Sequence, residues 1–183
     1  LRKLTDKNLI SHKPYKGVSL TKNGLKQGQN MVRRHRIWEM YLHQALGYPW
    51  HKVHAEAEKL EHASSDELID ILDEKLGFPQ TDPHGDPIPS RDGKMPTLEK
   101  MTQLSDCKAN DHCKVLRVVD FNEEFMTYMD SIGIKPQSCF VINEVRDFDK
   151  SITIILDEKE VHLSYFTAQH IFVTTKINER KKT

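Results

Sequence analysis

One ten-residue stretch decides how this chain folds: Val53-His54-Ala55-Glu56-Ala57-Glu58-Lys59-Leu60-Glu61-His62. On a helix, which advances roughly 100° per residue, four of its imidazole and carboxylate side chains fall within about 100° of one another: His54, Glu58, Glu61 and His62. Apolar residues flank this stripe, so burying it would be costly unless something neutralised the charges. A divalent cation would do so, and the alternative is a solvated His/Glu face.

A second helix, predicted from Gly28 to Leu46, offers a matching pair. His35 and Glu39, at positions i and i+4, share an arc with Trp38 and Leu42, which places both polar groups on the buried face. A lone buried histidine is more often a hydrogen-bonded core residue than a ligand, but the pair makes the two interpretations equally good. Nitrogen and oxygen ligands without thiolate suit Mn, Fe(II), Zn or Co, and the carboxylate share favours Mn(II).

Composition sets broad limits. The 183 residues include 27 Lys+Arg and 27 Asp+Glu, with a mean hydropathy of -0.63, and no apolar run approaches the about 18 residues of a membrane span. Three cysteines without a CxxC pair predict reduced thiols and hence the cytoplasm. The chain starts at Leu1 without a signal peptide, and we expect it to be a fragment of a longer polypeptide.

The zero net charge hides a strong asymmetry. Residues 1–36 carry ten basic side chains and one acid, a net charge of +9, so the remainder carries -9. A basic end of this kind is what a phosphate-facing surface requires, the alternative being a solvated basic face. Within it the sequence predicts a helix up to Asn8, two short strands at Leu9-Ile10 and Val18-Leu20, and a helix capped by Thr21.

A helix, a basic hairpin and a second helix are the last elements of a winged helix-turn-helix, whose hairpin lies along the DNA backbone. The candidate DNA-binding residues are Arg2, Lys3, Lys7, Lys13 and Lys16.

A third helix is predicted to start at the capping box Ser64-Ser65-Asp66-Glu67 and to end at Gly77. Its wide apolar face suits a partner subunit, so we expect a homodimer.

Three motifs together resemble the diphtheria-toxin-repressor family of metal-dependent transcriptional regulators: Arg34-His35-Arg36-Ile37-Trp38-Glu39, the stretch 53–62 and Asp82-Pro83-His84-Gly85-Asp86-Pro87-Ile88-Pro89. The resemblance covers essentially the whole chain. It implies a mainly α protein with a small β domain: the C-terminal part of a winged-helix domain at 1–27, a helical metal-binding and dimerisation domain with linker at 28–97, and a FeoA/SH3-like β-barrel domain at 98–183.

The resemblance also assigns ligands. His35, Glu39 and His54 fall on the family's ancillary metal site, and Glu58, Glu61 and His62 fall on its primary, regulatory site. The glutamate at position 58 makes this sequence resemble the manganese-responsive branch of the family, because iron-responsive members have a cysteine at that position. The family completes the primary site from the first helix of the winged-helix domain, which this sequence does not include, so we expect an incomplete primary site here.

The last third predicts strands at 113–119, 138–145, 151–156, 160–163 and 171–175, with a helix at 122–132 closed by Gly133. Asn122-Glu123-Glu124-Phe125 resembles the segment with which some members complete the ancillary site, which makes Glu123 a candidate ligand. An exposed acid at a helix start is an equally good interpretation.

The function implied is a metal-dependent repressor of metal-uptake genes that binds a palindromic DNA operator as a homodimer. Mn(II) is the expected cofactor, Fe(II) the alternative, and Zn(II) or Co(II) are surrogates. An enzyme is not expected, because neither HExxH nor paired ExxH motifs occur. A metal-storage protein or metallochaperone without DNA binding is the other alternative.

Overall fold

The structure is a computed structural model that describes residues 1–13 and 17–175, without the side chain of Lys13. It divides into two compact units. The first, the helical unit, comprises Leu1–Asp82 and Pro87–Thr97. The second, the β unit, comprises Pro83–Asp86 and, of the described residues, 98–175. Within the described residues, no helix is long and apolar enough to cross a membrane.

The helical unit opens with a short helix and a hairpin. Helix α1 spans Arg2–Asp6, and strands β1 (Ile10–Lys13) and β2 (Gly17–Leu20) pair antiparallel. This is the predicted order of elements, with β1 extending beyond the predicted strand. Ile10 is the one residue of the hairpin that is buried among those described, so the other described strand residues are open to solvent.

Helix α2 runs unbroken over Lys22–Gln44. Thr21 caps it, because the Thr21 Oγ1 accepts a hydrogen bond of 3.0 Å from the Gly24 amide. The prediction of a separate helix from Gly28 was therefore wrong at its start: the Thr21 cap and the helix that carries His35 belong to one element. Gly24 also lies against Leu9, the residue before β1, because an added Cβ would come within 1.9 Å of the Leu9 carbonyl oxygen.

Two further helices pack on α2. A 3₁₀ turn at Trp50–Lys52 leads into α3 (Val53–Glu61), and α4 spans Asp66–Lys75. Ser65, not Ser64, caps α4, since the Ser65 Oγ accepts from the Leu68 amide at 3.1 Å. The Ser64 Oγ instead donates to the Leu60 carbonyl at 2.7 Å and accepts from the Trp38 indole at 2.7 Å. Ser64 thereby ties the end of α3 to α2.

Two apolar clusters hold the three helices together. Leu42 of α2 packs with Val53 and Ala57 of α3, while the other cluster contains Ile37, Met40, Ile69, Leu72 and Ile88. Trp38 packs against both. Each large apolar side chain buried in this way stabilises the fold by about 1.5–3 kcal/mol, and together they fix the polar face of α3 against that of α2.

The β unit is a six-stranded antiparallel sheet with strand order β3-β8-β4-β5-β6-β7. Its elements are β3 (Thr102–Gln103), β4 (His112–Val118), α5 (Glu123–Ser131), β5 (Cys139–Val145), β6 (Ile152–Leu156), β7 (Lys159–Leu163), α6 (Tyr165–Gln169) and β8 (Ile171–Thr174). The five predicted strands and the predicted helix are all present, within one or two residues at each end. The register of strand pairing shifts after Val115 and after Ile142. Irregularities of this kind bend the strands of a sheet.

Candidate metal centre

Helices α2 and α3 bring four of the predicted ligands into one cluster, which we call the His35 cluster: His35, Glu39, His54 and Glu61. The His35 Nδ1 lies 2.7 Å from the Glu61 Oε2, and its Nε2 lies 2.9 Å from the Glu39 Oε1. The same Nε2 is 3.1 Å from the His54 Nδ1, which in turn is 3.3 Å from the Glu39 Oε1. His35 is thus the centre of the cluster.

Local geometry explains this convergence. His35 and Glu39 are one helical turn apart on α2, while His54 and Glu61 are two turns apart on α3. The packing of Leu42 against Val53 and Ala57 holds the two polar faces together. Sequence spacing therefore predicted each pair, and the apolar residues beside them supplied the contact between pairs.

The cluster buries its carboxylates. Glu39 is 2% exposed and Glu61 8% exposed, and buried carboxylates are strongly unfavourable without partners. Burial by itself lowers the pKa of His35, but hydrogen bonds and charge attraction from Glu39 and Glu61 outweigh it and raise that pKa above its ordinary value of 6.5. The two carboxylates therefore favour the protonated, positively charged form of the His35 imidazole.

The donor set fits a divalent cation. One ligand atom each from His35, Glu39 and His54 lies within 4.8 Å of the others. Neighbouring ligands of an octahedral ion with bonds of about 2.1 Å are separated by about 3 Å, close to the 2.9, 3.1 and 3.3 Å found here. A metal ion would replace the proton of His35 as the neutralising charge.

The remaining helical candidates lie at the rim of the cluster. Glu58 is exposed and lines the same depression as His35, His54 and Glu61, together with the apolar Met31 and Val32. His62 is exposed too, with its Nε2 3.3 Å from the Glu61 Oε1. Glu58 and His62 thus lie near Glu61, which belongs to the cluster itself, and the assignment of these three residues as a primary site stays a prediction.

Glu123 occupies the first turn of α5 in the β unit and is exposed. The Asn122 side chain caps this helix by accepting from the Phe125 amide at 2.8 Å, and an acid at a helix N-terminus is stabilised by the helix dipole. This local role accounts for Glu123 without a metal, and its role as a ligand stays a prediction.

The candidate DNA-binding residues divide into described and undescribed ones. Arg2, Lys3 and Lys7 are exposed in and just after α1. The side chain of Lys13 and the whole of Lys16 lie outside the described residues.

Three arginines of the basic end have internal roles that sequence reasoning missed. Arg33 is 3% exposed, and its guanidinium lies 3.0 Å from Asp70 and 2.6 Å from Asp73. Arg34 binds Asp66 at 2.5 Å, and Arg36 binds Asp82 at 3.4 Å and donates to the Pro87 carbonyl. The signal for the first two was the row of aspartates along α4, and these pairs leave less free positive charge than the sequence count suggests.

Comparisons with known proteins show to which family this architecture belongs. The model of the "iron dependent repressor, metal binding and dimerisation domain" matches residues 21–90, and the FeoA domain model matches residues 102–175. A solved manganese-dependent transcriptional repressor in complex with manganese is 42% identical, with a TM-score of 0.84, over 94% of this chain and 80% of that chain. The two domain matches and the likeness to this repressor over most of the chain define the class as a metal-dependent repressor fold. The chain belongs to the diphtheria-toxin-repressor family.

Curated relatives match over different lengths. The diphtheria toxin repressor of Corynebacterium diphtheriae is 29% identical over 155 residues, 81% of this chain and 68% of that protein. A probable metal transport system membrane protein of Chlamydia trachomatis is 41% identical over 91 residues, half of this chain. The chain spans only about a fifth of that relative's length.

Proposed function

We propose that this chain is the metal-sensing part of a DNA-binding transcriptional regulator that represses metal-uptake genes when metal is bound. The observation that carries the proposal is the His35 cluster, in which two buried carboxylates and two imidazoles converge within hydrogen-bonding distance. Family membership supports the regulatory role, since solved relatives that are similar over most of this chain are named as transcriptional repressors.

Mn(II) is the proposed metal, Fe(II) is the alternative, and Zn(II) or Co(II) would act as surrogates. The donors are nitrogen and oxygen atoms without thiolate, which suits hard to borderline ions. One solved relative is a manganese-dependent repressor in complex with manganese. In this proposal His35, Glu39 and His54 form the ancillary site, with Glu123 as a further ligand, and Glu58, Glu61 and His62 form the primary site.

The proposed organisation keeps three segments: the wing part at 1–27, the metal-binding and dimerisation part at 28–97 and the SH3-like part at 98–183. We propose a homodimer through α4, whose Leu68 and Ile71 are 39% and 45% exposed, as apolar side chains at an interface would be in a lone protomer. Two copies would present two wings to a palindromic duplex operator. Such a regulator acts in the cytoplasm.

The mechanism follows from linkage between metal and DNA binding. A metal ion held by His35 and Glu39 of α2 and by His54 of α3 would add a link between two helices that apolar residues already pack together. Helix α2 continues without a break to the hairpin at its N-terminal end. The wing position would then depend on the state of the cluster. A coupling free energy of about 1–3 kcal/mol gives a roughly 5- to 150-fold change in DNA affinity.

Anaerobic calorimetry of Mn(II) against this chain tests the proposal. We expect binding that is abolished in the His35→Ala/Glu61→Ala double variant, because it removes the centre of the cluster and one of its buried carboxylates. His43→Ala/Glu56→Ala is the matched control: the same residue types change on the same two helices, where His43 contacts the Tyr48 carbonyl and Glu56 pairs with Lys59. Equal binding by all three proteins would overturn the metal-site assignment.

A storage protein or metallochaperone is the second candidate function, because the His35 cluster alone would serve it equally well. The two functions separate on DNA binding, since storage leaves the exposed basic residues Arg2, Lys3 and Lys7 without a role.

A further inference from the structure

Strand β7 forms an open edge of the β unit. It pairs with β6 on one side, and no other strand in residues 1–13 and 17–175 pairs with its outer side. Lys159, Glu160 and His162 are exposed along it. An edge strand of this kind offers unpaired backbone donors and acceptors to a further strand.

The hairpin register identifies which backbone groups face outward. Leu156 pairs with Lys159 across the two-residue loop Asp157-Glu158, whose φ angles of 48° and 64° are those of a type I′ turn. The two residues that close such a loop are joined by two backbone hydrogen bonds. Along the rest of the ladder, pairs without hydrogen bonds alternate with hydrogen-bonded pairs. Lys159, Val161 and Leu163 therefore bond to β6, while the N–H and C=O groups of Glu160 and His162 point away from the sheet.

A groove runs beside this edge. It has a volume of about 590 Å³ and is bounded by β7 on one side and by the end of α5 and its following turn on the other, including Tyr128, Ser131 and Gly133. An edge strand beside a helix is the arrangement in which extended peptides add to a sheet: main-chain hydrogen bonds provide affinity, and the groove receives alternate side chains.

The charge of the groove favours peptide segments of one sign of charge. Asp130, Asp157 and Glu160 line it against the single cation Lys159. The Glu160 Oε1 accepts a hydrogen bond of 3.3 Å from the Asn143 Nδ2, and the His162 ring is engaged with the Thr153 hydroxyl at 3.0 Å. The excess of carboxylates repels acidic segments and attracts basic ones.

We propose that β7 and α5 form a docking site for an extended basic polypeptide segment, which adds to the sheet as a seventh strand through the backbone groups of Glu160 and His162. This site lies wholly within the β unit and does not depend on the metal centre.

Hydrogen exchange followed by NMR on the whole chain tests the site, with the peptide acetyl-Thr-Lys-Val-Lys-Val-Lys-Thr-amide as probe. In the free protein the amides of Glu160 and His162 should exchange faster than those of Val161 and Leu163. Saturating peptide should slow exchange at Glu160 and His162 at least tenfold and leave Val161 unchanged. The same peptide with Glu in place of Lys should give no protection.

Two variants separate the backbone from the charge. Glu160→Pro removes an outward N–H while sparing the β6 ladder, and should abolish protection at His162. Glu160→Lys keeps the backbone and should weaken the Lys peptide at least tenfold while favouring the Glu peptide; Glu124→Lys, at the other end of α5, is the control for net charge.

Four results would overturn the site. One is that neither the Lys peptide nor the Glu peptide slows exchange at Glu160 and His162. Another is protection that grows with protein concentration without peptide, which would mean that a second copy occupies the edge. Equal binding by Glu160→Lys and Glu124→Lys would overturn the basic specificity, and binding unaffected by Glu160→Pro would overturn strand addition.

Discussion

At the scale of single residues, we expect His35 to decide how the proposed metal centre responds to pH. The neighbouring carboxylates hold the pKa of His35 above its ordinary value of 6.5, so a metal ion bound there would compete with a proton for this imidazole. We expect Mn(II) affinity to fall as the pH drops through the raised pKa. Calorimetry in two buffers of different ionisation enthalpy should show proton release that disappears in His35→Ala.

The same residue sets the opposite trend for the metal-free protein. Since its folded-state pKa is raised, protonated His35 contributes stability in full below pH 6.5, and this contribution is lost as the pH rises through the folded-state pKa. In the presence of a chelator, the melting temperature of the wild type should therefore fall relative to that of His35→Gln as the pH rises above 6.5 through the raised pKa. A parallel pH dependence of the two proteins would contradict this ion pairing.

At the scale of elements, α2 approaches the start of the hairpin so closely that substitution of two of its glycines should have opposite effects on stability. Gly24→Ala would drive a Cβ to within 1.9 Å of the Leu9 carbonyl oxygen, and we expect it to destabilise the protein by about 1–3 kcal/mol. Gly28→Ala on the same helix meets no atom within 4 Å and should stabilise it by about 0.5–1 kcal/mol. Urea unfolding of both variants measures the difference, and equal effects would contradict the packing of Gly24.

The elements also show where sequence reasoning succeeded and where it failed. Periodicity and caps located α3, α4, α5 and most strands, because apolar spacing and capping residues act locally. Strand β3 has two residues and α6 five, too few for either period to emerge. The carboxylate partners of Arg33 and Arg34 lie on α4, more than 30 positions away in the chain, and only packing brings them together.

At the scale of the whole molecule, the basic end and the proposed metal centre are joined by one helix, because α2 begins beside the hairpin and carries His35 near its middle. We expect this chain to bind duplex DNA, measured by fluorescence anisotropy, with an affinity that falls steeply with salt as counterions are released. The double substitution Lys3→Ala/Lys7→Ala should weaken binding. It should also lower the slope of log affinity against log salt concentration by the contribution of about two phosphate contacts. Lys59→Ala/Lys100→Ala removes the same charge elsewhere and is the control. Salt-insensitive or absent binding would favour storage, because a protein that only carries metal has no use for a phosphate-facing wing.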